Sequence, residues 1–131
     1  MSSYFNIPLN FNLDEEVLRN QAYRWVVNTT PDMQLVLMSI EPFENINEEC
    51  HEVSQFIKVV SGCMQIIING KQEVLYDGSV ALIPPNTLHA VNNVGNIPLK
   101  IYTIYANPLY PINLVLNRKN SEPKFLKTNI K

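Results

Sequence analysis

The chain has 131 residues, of which 12 are acidic and 10 basic, and its formal net charge is −2. This length suits one domain with a sizeable core. The charge is small and forms no long run of either sign, so neither a nucleic-acid partner nor a membrane partner is expected. No apolar run approaches the roughly 20 residues that span a bilayer, and the first residues lack the basic and apolar regions of a signal peptide. We therefore expect a cytoplasmic protein, in which Cys50 and Cys63 stay reduced.

The first predicted element is a short helix that begins after Asn12. Asparagine is a favoured residue for the position before a helix, and the acidic residues 14–16 would face the positive end of the helix dipole. Val17 and Leu18 are the expected buried contacts of this helix.

Short apolar or alternating segments separated by turns make up the middle of the chain. Residues 33–40 are apolar almost throughout, which predicts a strand covered on both faces. A turn follows about every eight to twelve residues, which is the spacing of an all-β sandwich or barrel. The predicted strands are residues 23–27, 33–40, 56–60, 64–68, 72–75, 80–83, 89–93 and 99–105.

The turns between these strands carry their own predictions. Asn69-Gly70 predicts a hairpin with a type I′ turn, in which both central residues have positive φ. Asn86 follows two prolines and can adopt the left-handed conformation that glycine usually supplies. Residues 44–47 are predicted to form a loop.

Several aromatic and large side chains are predicted to have structural roles. Arg24 beside Trp25 indicates a surface cation–π pair or a subunit contact. The side chains predicted to lie in the core are Met38, Phe56, Tyr102 and Tyr105.

The two histidines of the chain lie in two stretches rich in polar side chains. In the first stretch, Glu49, His51 and Gln55 occupy odd positions, and on a strand such side chains point to one face. The second stretch, residues 78–93, holds His89. Three side chains that can bind metal could thus point into the interior of a barrel together with the second histidine.

The first stretch resembles the first motif of the cupin family, G-x5-H-x-H-x3-4-E-x6-G. Glu49 stands where the first histidine of the motif is expected, and His51 matches the second. Gln55 replaces the glutamate, and Gly62 closes the motif after six residues. The order Glu-x-His-x3-Gln is similar to a variant found in small single-domain cupins.

The second stretch resembles the second cupin motif, G-x5-P-x-G-x2-H-x3-N. Gly78, Pro84, His89 and Asn93 match it, and Asn86 replaces its second glycine. With the neighbouring strands, the resemblance extends over residues 33–106.

The resemblance implies a single cupin domain over residues 1–131. Its fold would be the double-stranded β-helix, a jelly-roll barrel, with a core at about residues 23–106. Residues 107–131 would form a C-terminal extension that packs on its own barrel or on a neighbouring subunit. Pairing of subunits through exposed strand edges is common in the family, so a homodimer is the default expectation.

The expected site is one divalent metal ion held by Glu49, His51, Gln55 and His89. Two imidazoles and a carboxylate form a facial triad that leaves coordination positions open, and these ligand types suit iron, manganese, zinc or nickel. Gln55 is either a ligand or a residue that orients a ligand.

We expect the metal to act on a small oxygen-rich molecule, in an enzyme similar to the dioxygenases or the sugar and sugar-phosphate isomerases among cupins. The fold does not select among these activities. One alternative is a non-catalytic module that binds a metal or a small molecule. A second alternative is an interaction protein whose barrel retains a vestigial site.

Overall fold

A computed structural model describes residues 9–119. The predictions for residues 1–8 and 120–131 lie outside this range, and the assignment of residues 1–131 to one domain stays a prediction. The described part contains one helix and ten strands. They are α1 (Leu13–Arg19), β1 (Arg24–Thr29), β2 (Gln34–Ile40), β3 (Asn45–Glu49), β4 (Ser54–Ser61), β5 (Cys63–Ile68), β6 (Lys71–Tyr76), β7 (Val80–Ile83), β8 (His89–Asn93), β9 (Leu99–Ala106) and β10 (Val115–Leu116).

The strands form two antiparallel sheets. The larger sheet has the order β10-β1-β2-β9-β4-β7, and the smaller has the order β3-β8-β5-β6. Apolar side chains from both sheets meet in one core, because inward residues alternate with outward ones along each strand. This arrangement confirms the predicted all-β jelly roll. The core residues include Val36, Met38, Val59, Ile101, Met64, Ile66 and Val91.

Strand β9 lies in the middle of the larger sheet, between β2 and β4. Its residues alternate between buried and half-buried positions, and Thr103 and Tyr105 belong to the inward set. On β4, Gln55 pairs with Tyr105 and Ile57 pairs with Thr103. The register thus brings the buried hydroxyl groups of β9 beside the buried amide of Gln55.

Helix α1 packs on the larger sheet, where it contacts β2, β4 and β9. The Asn12 side chain accepts a hydrogen bond from the Glu15 amide at 2.9 Å, as the capping prediction requires. Val17 is buried, but Leu18 is 51% exposed, so the expectation for Leu18 was wrong. Successive helical residues lie about 100° apart around the axis, and in a one-sided contact only one of the two faces the sheet.

Both turn predictions are confirmed. Asn69 and Gly70 have φ values of 51° and 83°, and Asn86 has a φ of 60°. The described part contains no helix that is long and apolar enough to cross a membrane.

The first part of the C-terminal extension packs on its own barrel. Strand β10 pairs with β1, and the buried Tyr110 joins the core. The Gln34 side chain accepts hydrogen bonds from the Leu109 and Tyr110 amides at 3.0 and 2.9 Å. It donates to the Tyr110 carbonyl and the Thr29 hydroxyl at 2.8 and 3.1 Å. Of the two predicted possibilities for the extension, residues 107–119 therefore follow the first: they pack on the barrel of their own chain.

Candidate metal centre

Three of the predicted site residues lie where the chain passes from the smaller sheet to the larger one. Glu49 is the last residue of β3, His51 lies in the connection, and Gln55 is on β4 of the other sheet. The expectation that one strand carries all three was wrong, because the chain leaves the smaller sheet after Glu49. The predicted loop at residues 44–47 is also largely strand β3. Its sequence is mostly polar, and its pairing with β8 overrides that weak strand preference.

His89 comes to the same place because β3 and β8 are paired. It begins β8 and lies directly opposite Glu49 in the antiparallel register. Ligand atoms of Glu49, His51 and His89 all lie within 4.8 Å of one another, and the two imidazole rings are 5.3 Å apart. The exposed fractions of these residues are 9%, 4% and 3%. The fold therefore gathers three buried side chains that could hold a metal ion.

The hydrogen bonds of the two histidines leave nitrogen lone pairs in this cluster. His89 Nδ1 lies 2.8 Å from the Thr87 carbonyl oxygen, so Nδ1 carries the proton and Nε2 keeps its lone pair. Burial lowers the pKa of His89, which favours the neutral, metal-binding form of the imidazole. His51 Nε2 lies 3.1 Å from Glu49 Oε1.

Three buried polar atoms of the predicted set have no hydrogen-bond partner within the described residues. They are His51 Nδ1, His89 Nε2 and Gln55 Oε1. A buried polar atom without a partner needs an explanation such as a bound ion or water. Gln55 Oε1 and His89 Nε2 can each offer a lone pair to a cation, and His51 would bind through Nε2 and keep its proton on Nδ1.

The distances also suit a metal ion. Metal bonds to histidine nitrogen and carboxylate oxygen are about 2.0–2.2 Å long, so two ligands at a right angle lie about 3 Å apart. The 3.1 Å between His51 Nε2 and Glu49 Oε1 is close to this value. Buried neutral imidazoles beside a carboxylate thus fit a divalent first-row metal in both donor type and spacing.

Two hydroxyl residues next to Gln55 were not predicted as part of the site. Gln55 Nε2 donates to Thr103 Oγ1 at 3.1 Å and to the Tyr105 hydroxyl at 3.3 Å. Tyr105 is buried, as predicted, but its ring also lies 5.8 Å from the His51 ring. Their alternate positions on a predicted strand indicated a shared face, but their register with Gln55 is known only from the structure.

Arg24 is part of the barrel interior. It is fully buried, with its guanidinium carbon 4.5 Å from the Tyr110 ring centre and 5.2 Å from the Tyr23 ring centre. The surface cation–π pair with Trp25 was therefore wrong, because the β1 alternation turns Arg24 inward. Its charge interacts electrostatically with Glu49.

A largely apolar groove of about 630 Å³ has Gln55 among its lining residues. It lies beside β7, where Leu82 is 69% exposed. Phe56 lines the groove and stacks on Tyr102, with ring centres 6.2 Å apart. Phe56 and Tyr102 were predicted to lie in the core, but both rings lie on the outer face and are only half-buried. Met38 and Tyr105 are buried, as predicted.

Comparison with known proteins agrees with this fold. A family model described as "Cupin domain" matches residues 36–105. The uncharacterized protein L612 of Acanthamoeba polyphaga mimivirus is 41% identical over 106 residues, which cover 76% of this chain and 66% of L612. The uncharacterized protein YrkC of Bacillus subtilis is 34% identical over 127 residues, which cover 91% of this chain and 68% of YrkC. The match therefore spans about two thirds of the length of each relative.

The crystal structure of BH2720 from Bacillus halodurans is also similar. It is 36% identical in sequence and superposes with a TM-score of 0.83, covering 85% of this chain and 89% of BH2720.

Proposed function

Since this chain belongs to the cupin family, we propose that it binds one divalent metal ion inside its barrel and acts on a small oxygen-rich molecule. The proposed ligands are Glu49, His51, His89 and, through its side-chain oxygen, Gln55. The observation that carries the proposal is the pair of buried, unpartnered acceptor atoms on Gln55 and His89, beside His51 Nε2 and Glu49 Oε1 at coordination spacing.

The bound metal would polarise a carbonyl or stabilise an enolate of that molecule. The side chains of the chain have separate tasks. The Thr87 carbonyl holds His89 in the tautomer whose Nε2 can bind, and the buried surroundings exclude water from the histidines. Four protein ligands leave coordination positions open for a small molecule.

The enzyme class is proposed in two forms, a dioxygenase-like reaction with iron or an isomerase-like reaction with manganese, zinc or nickel. In both, Glu49 is the proposed anionic ligand. The phenols nearby are unsuitable as bases at neutral pH, since burial raises the pKa of Tyr110 to about 12 and that of Tyr105 well above its usual value.

The high pKa of these buried phenols is consistent with one alternative, a module that binds a metal or a small molecule without catalysis. In that case the apolar groove beside Gln55 would seat the ligand. Metal-loaded protein would then bind small oxygen-rich molecules without turning them over.

Elemental analysis of freshly purified protein tests the metal proposal. We expect close to one equivalent of one metal in the wild type, and loss of it in Glu49→Gln. Glu48→Gln is the matched control, because Glu48 is the neighbouring residue but is exposed. Absence of metal from the wild type, even after incubation with Mn²⁺, Fe²⁺, Zn²⁺ and Ni²⁺, would reject the metal proposal.

The homodimer is a separate proposal. Among residues 9–119, strand β7 ends the larger sheet without a further neighbour, and Val80 and Leu82 on it are exposed. Light scattering on a sizing column should give twice the mass of the chain. The double variant Val80→Lys/Leu82→Lys should then give the mass of a monomer.

A further inference from the structure

The orientation of the Gln55 amide decides whether this residue can bind a metal. An amide side chain has an oxygen that accepts and an NH₂ group that donates, and only the oxygen offers a lone pair to a cation. A glutamine placed at a metal site therefore needs neighbours that fix which end faces the ion.

The two contacts of the Gln55 amide within the described residues are both on its nitrogen. Nε2 donates to Thr103 Oγ1 and to the Tyr105 hydroxyl, while Oε1 is buried without a hydrogen-bond partner there. All three residues are buried, and cross-strand pairing of β4 with β9 places them side by side.

The Tyr105 hydroxyl can accept from Gln55 Nε2, because a phenol oxygen can accept a hydrogen bond while its single proton is donated elsewhere. The Thr103 hydroxyl can accept in the same way. Together these two bonds hold the NH₂ end of the amide on the side of β9.

We propose that Thr103 and Tyr105 are positioning residues that hold Gln55 with its oxygen directed to the metal centre, so that the centre contains a neutral fourth ligand and takes an anionic small molecule. This inference rests on the proposed metal site. Glu49 would be the single charged ligand, since the amide is neutral and the imidazoles bind in their neutral form. A divalent ion would then keep one positive charge, which a carboxylate or an enolate would neutralise in the buried site.

The first test measures the affinity of the protein for Co²⁺ by visible absorption. Outer groups that orient metal ligands typically contribute about tenfold to a hundredfold in affinity, so Thr103→Val and Tyr105→Phe should each weaken binding by about tenfold. Thr103→Ser keeps the hydroxyl, and Tyr102→Phe removes a tyrosine hydroxyl from the outward face of the same strand, so both should bind like the wild type. Unchanged affinity in Thr103→Val and Tyr105→Phe would overturn the positioning role while leaving the metal proposal intact.

The second test needs no metal. In ¹⁵N-labelled protein with chelator, Thr103→Val and Tyr105→Phe should move the Gln55 side-chain NH₂ resonance, which Gln55→Glu identifies by its absence. A resonance unmoved by both variants would overturn the proposed hydrogen bonds, even if the wild type bound no metal.

The third test concerns the class of ligand. Co²⁺-loaded wild type should bind acetate at least about tenfold more tightly than acetamide, its neutral analogue, and Gln55→Glu should remove most of that preference. Equal binding of acetate and acetamide by the wild type, or a preference unchanged in Gln55→Glu, would overturn the inference about charge.

Discussion

The backbone amide of Asn86 donates a hydrogen bond to the carbonyl oxygen of His51 at 2.6 Å. Through this bond, the turn between β7 and β8 holds the connection between β3 and β4. His51 lies in that connection and His89 directly follows the turn, so the bond ties the two halves of the candidate site together.

The left-handed conformation of Asn86 gives the first prediction. Its φ is 60°, a region that glycine and asparagine accept and β-branched residues avoid. Asn86→Gly should fold and bind metal like the wild type. Asn86→Val should lower the free energy of unfolding by roughly 1–2 kcal/mol and weaken metal binding, as measured by urea unfolding and Co²⁺ titration.

A control separates the two effects. Asn69 also has a positive φ, but it lies in the β5–β6 hairpin. Asn69→Val should lower stability by a similar amount and leave metal affinity unchanged. If Asn86→Val binds metal as tightly as the wild type, the turn does not support the site.

Gln34 provides the second prediction, because its side chain makes three hydrogen bonds to the backbone of Leu109 and Tyr110. Gln34→Leu keeps the volume but leaves these backbone groups without their partners. Each such group costs about 1–3 kcal/mol, so we expect a loss of about 3 kcal/mol or more in urea unfolding. The same change at the exposed Gln72 should cost less than about 0.5 kcal/mol; equal losses at the two positions would contradict this account of the C-terminal segment.

The pH dependence of stability gives the third prediction. Burial lowers the pKa of His89 in the folded protein, whereas the unfolded chain has the ordinary value of about 6.5. As the pH falls below about 6.5, the unfolded chain therefore binds a proton before the folded protein does, and the free energy of unfolding decreases. Above about 6.5 this contribution is fully present.

The measurement is urea unfolding with chelator at pH 5.5 and 7.5. The metal-free wild type should lose more stability between these two values than His89→Gln, which has no group to titrate at this position. The interpretation fails if both proteins show the same difference between pH 5.5 and pH 7.5.

Much of the fold followed from local chemistry in the sequence. The Asn69-Gly70 turn needs positive φ at both residues, and both observed φ values are positive. Strands β7 and β8 have the predicted bounds, since each is flanked by strong turn residues. Strand β3 was missed because its side chains are mostly polar and its pairing with β8 decides its structure.

The candidate site could be predicted in its members but not in its arrangement. Glu49, His51 and His89 were predicted from residue type and spacing, and the fold brings the three together. Gln55 is also buried, and its role as a ligand stays a prediction. That Glu49 lies opposite His89 depends on strand register, which the sequence does not state. Thr103 and Tyr105 were hidden because a hydroxyl residue within an apolar strand looks like an ordinary core or surface position.

The measurement that tests the central claim most directly is a crystal structure of protein loaded with Mn²⁺, with data collected for anomalous scattering. We expect one anomalous peak inside the barrel at bonding distance from Glu49, His51 and His89, with Gln55 Oε1 beside it. A barrel without such a peak, in which His51 Nε2 remains bonded to Glu49 and His89 Nε2 faces only water or carbon, would contradict the metal-binding function.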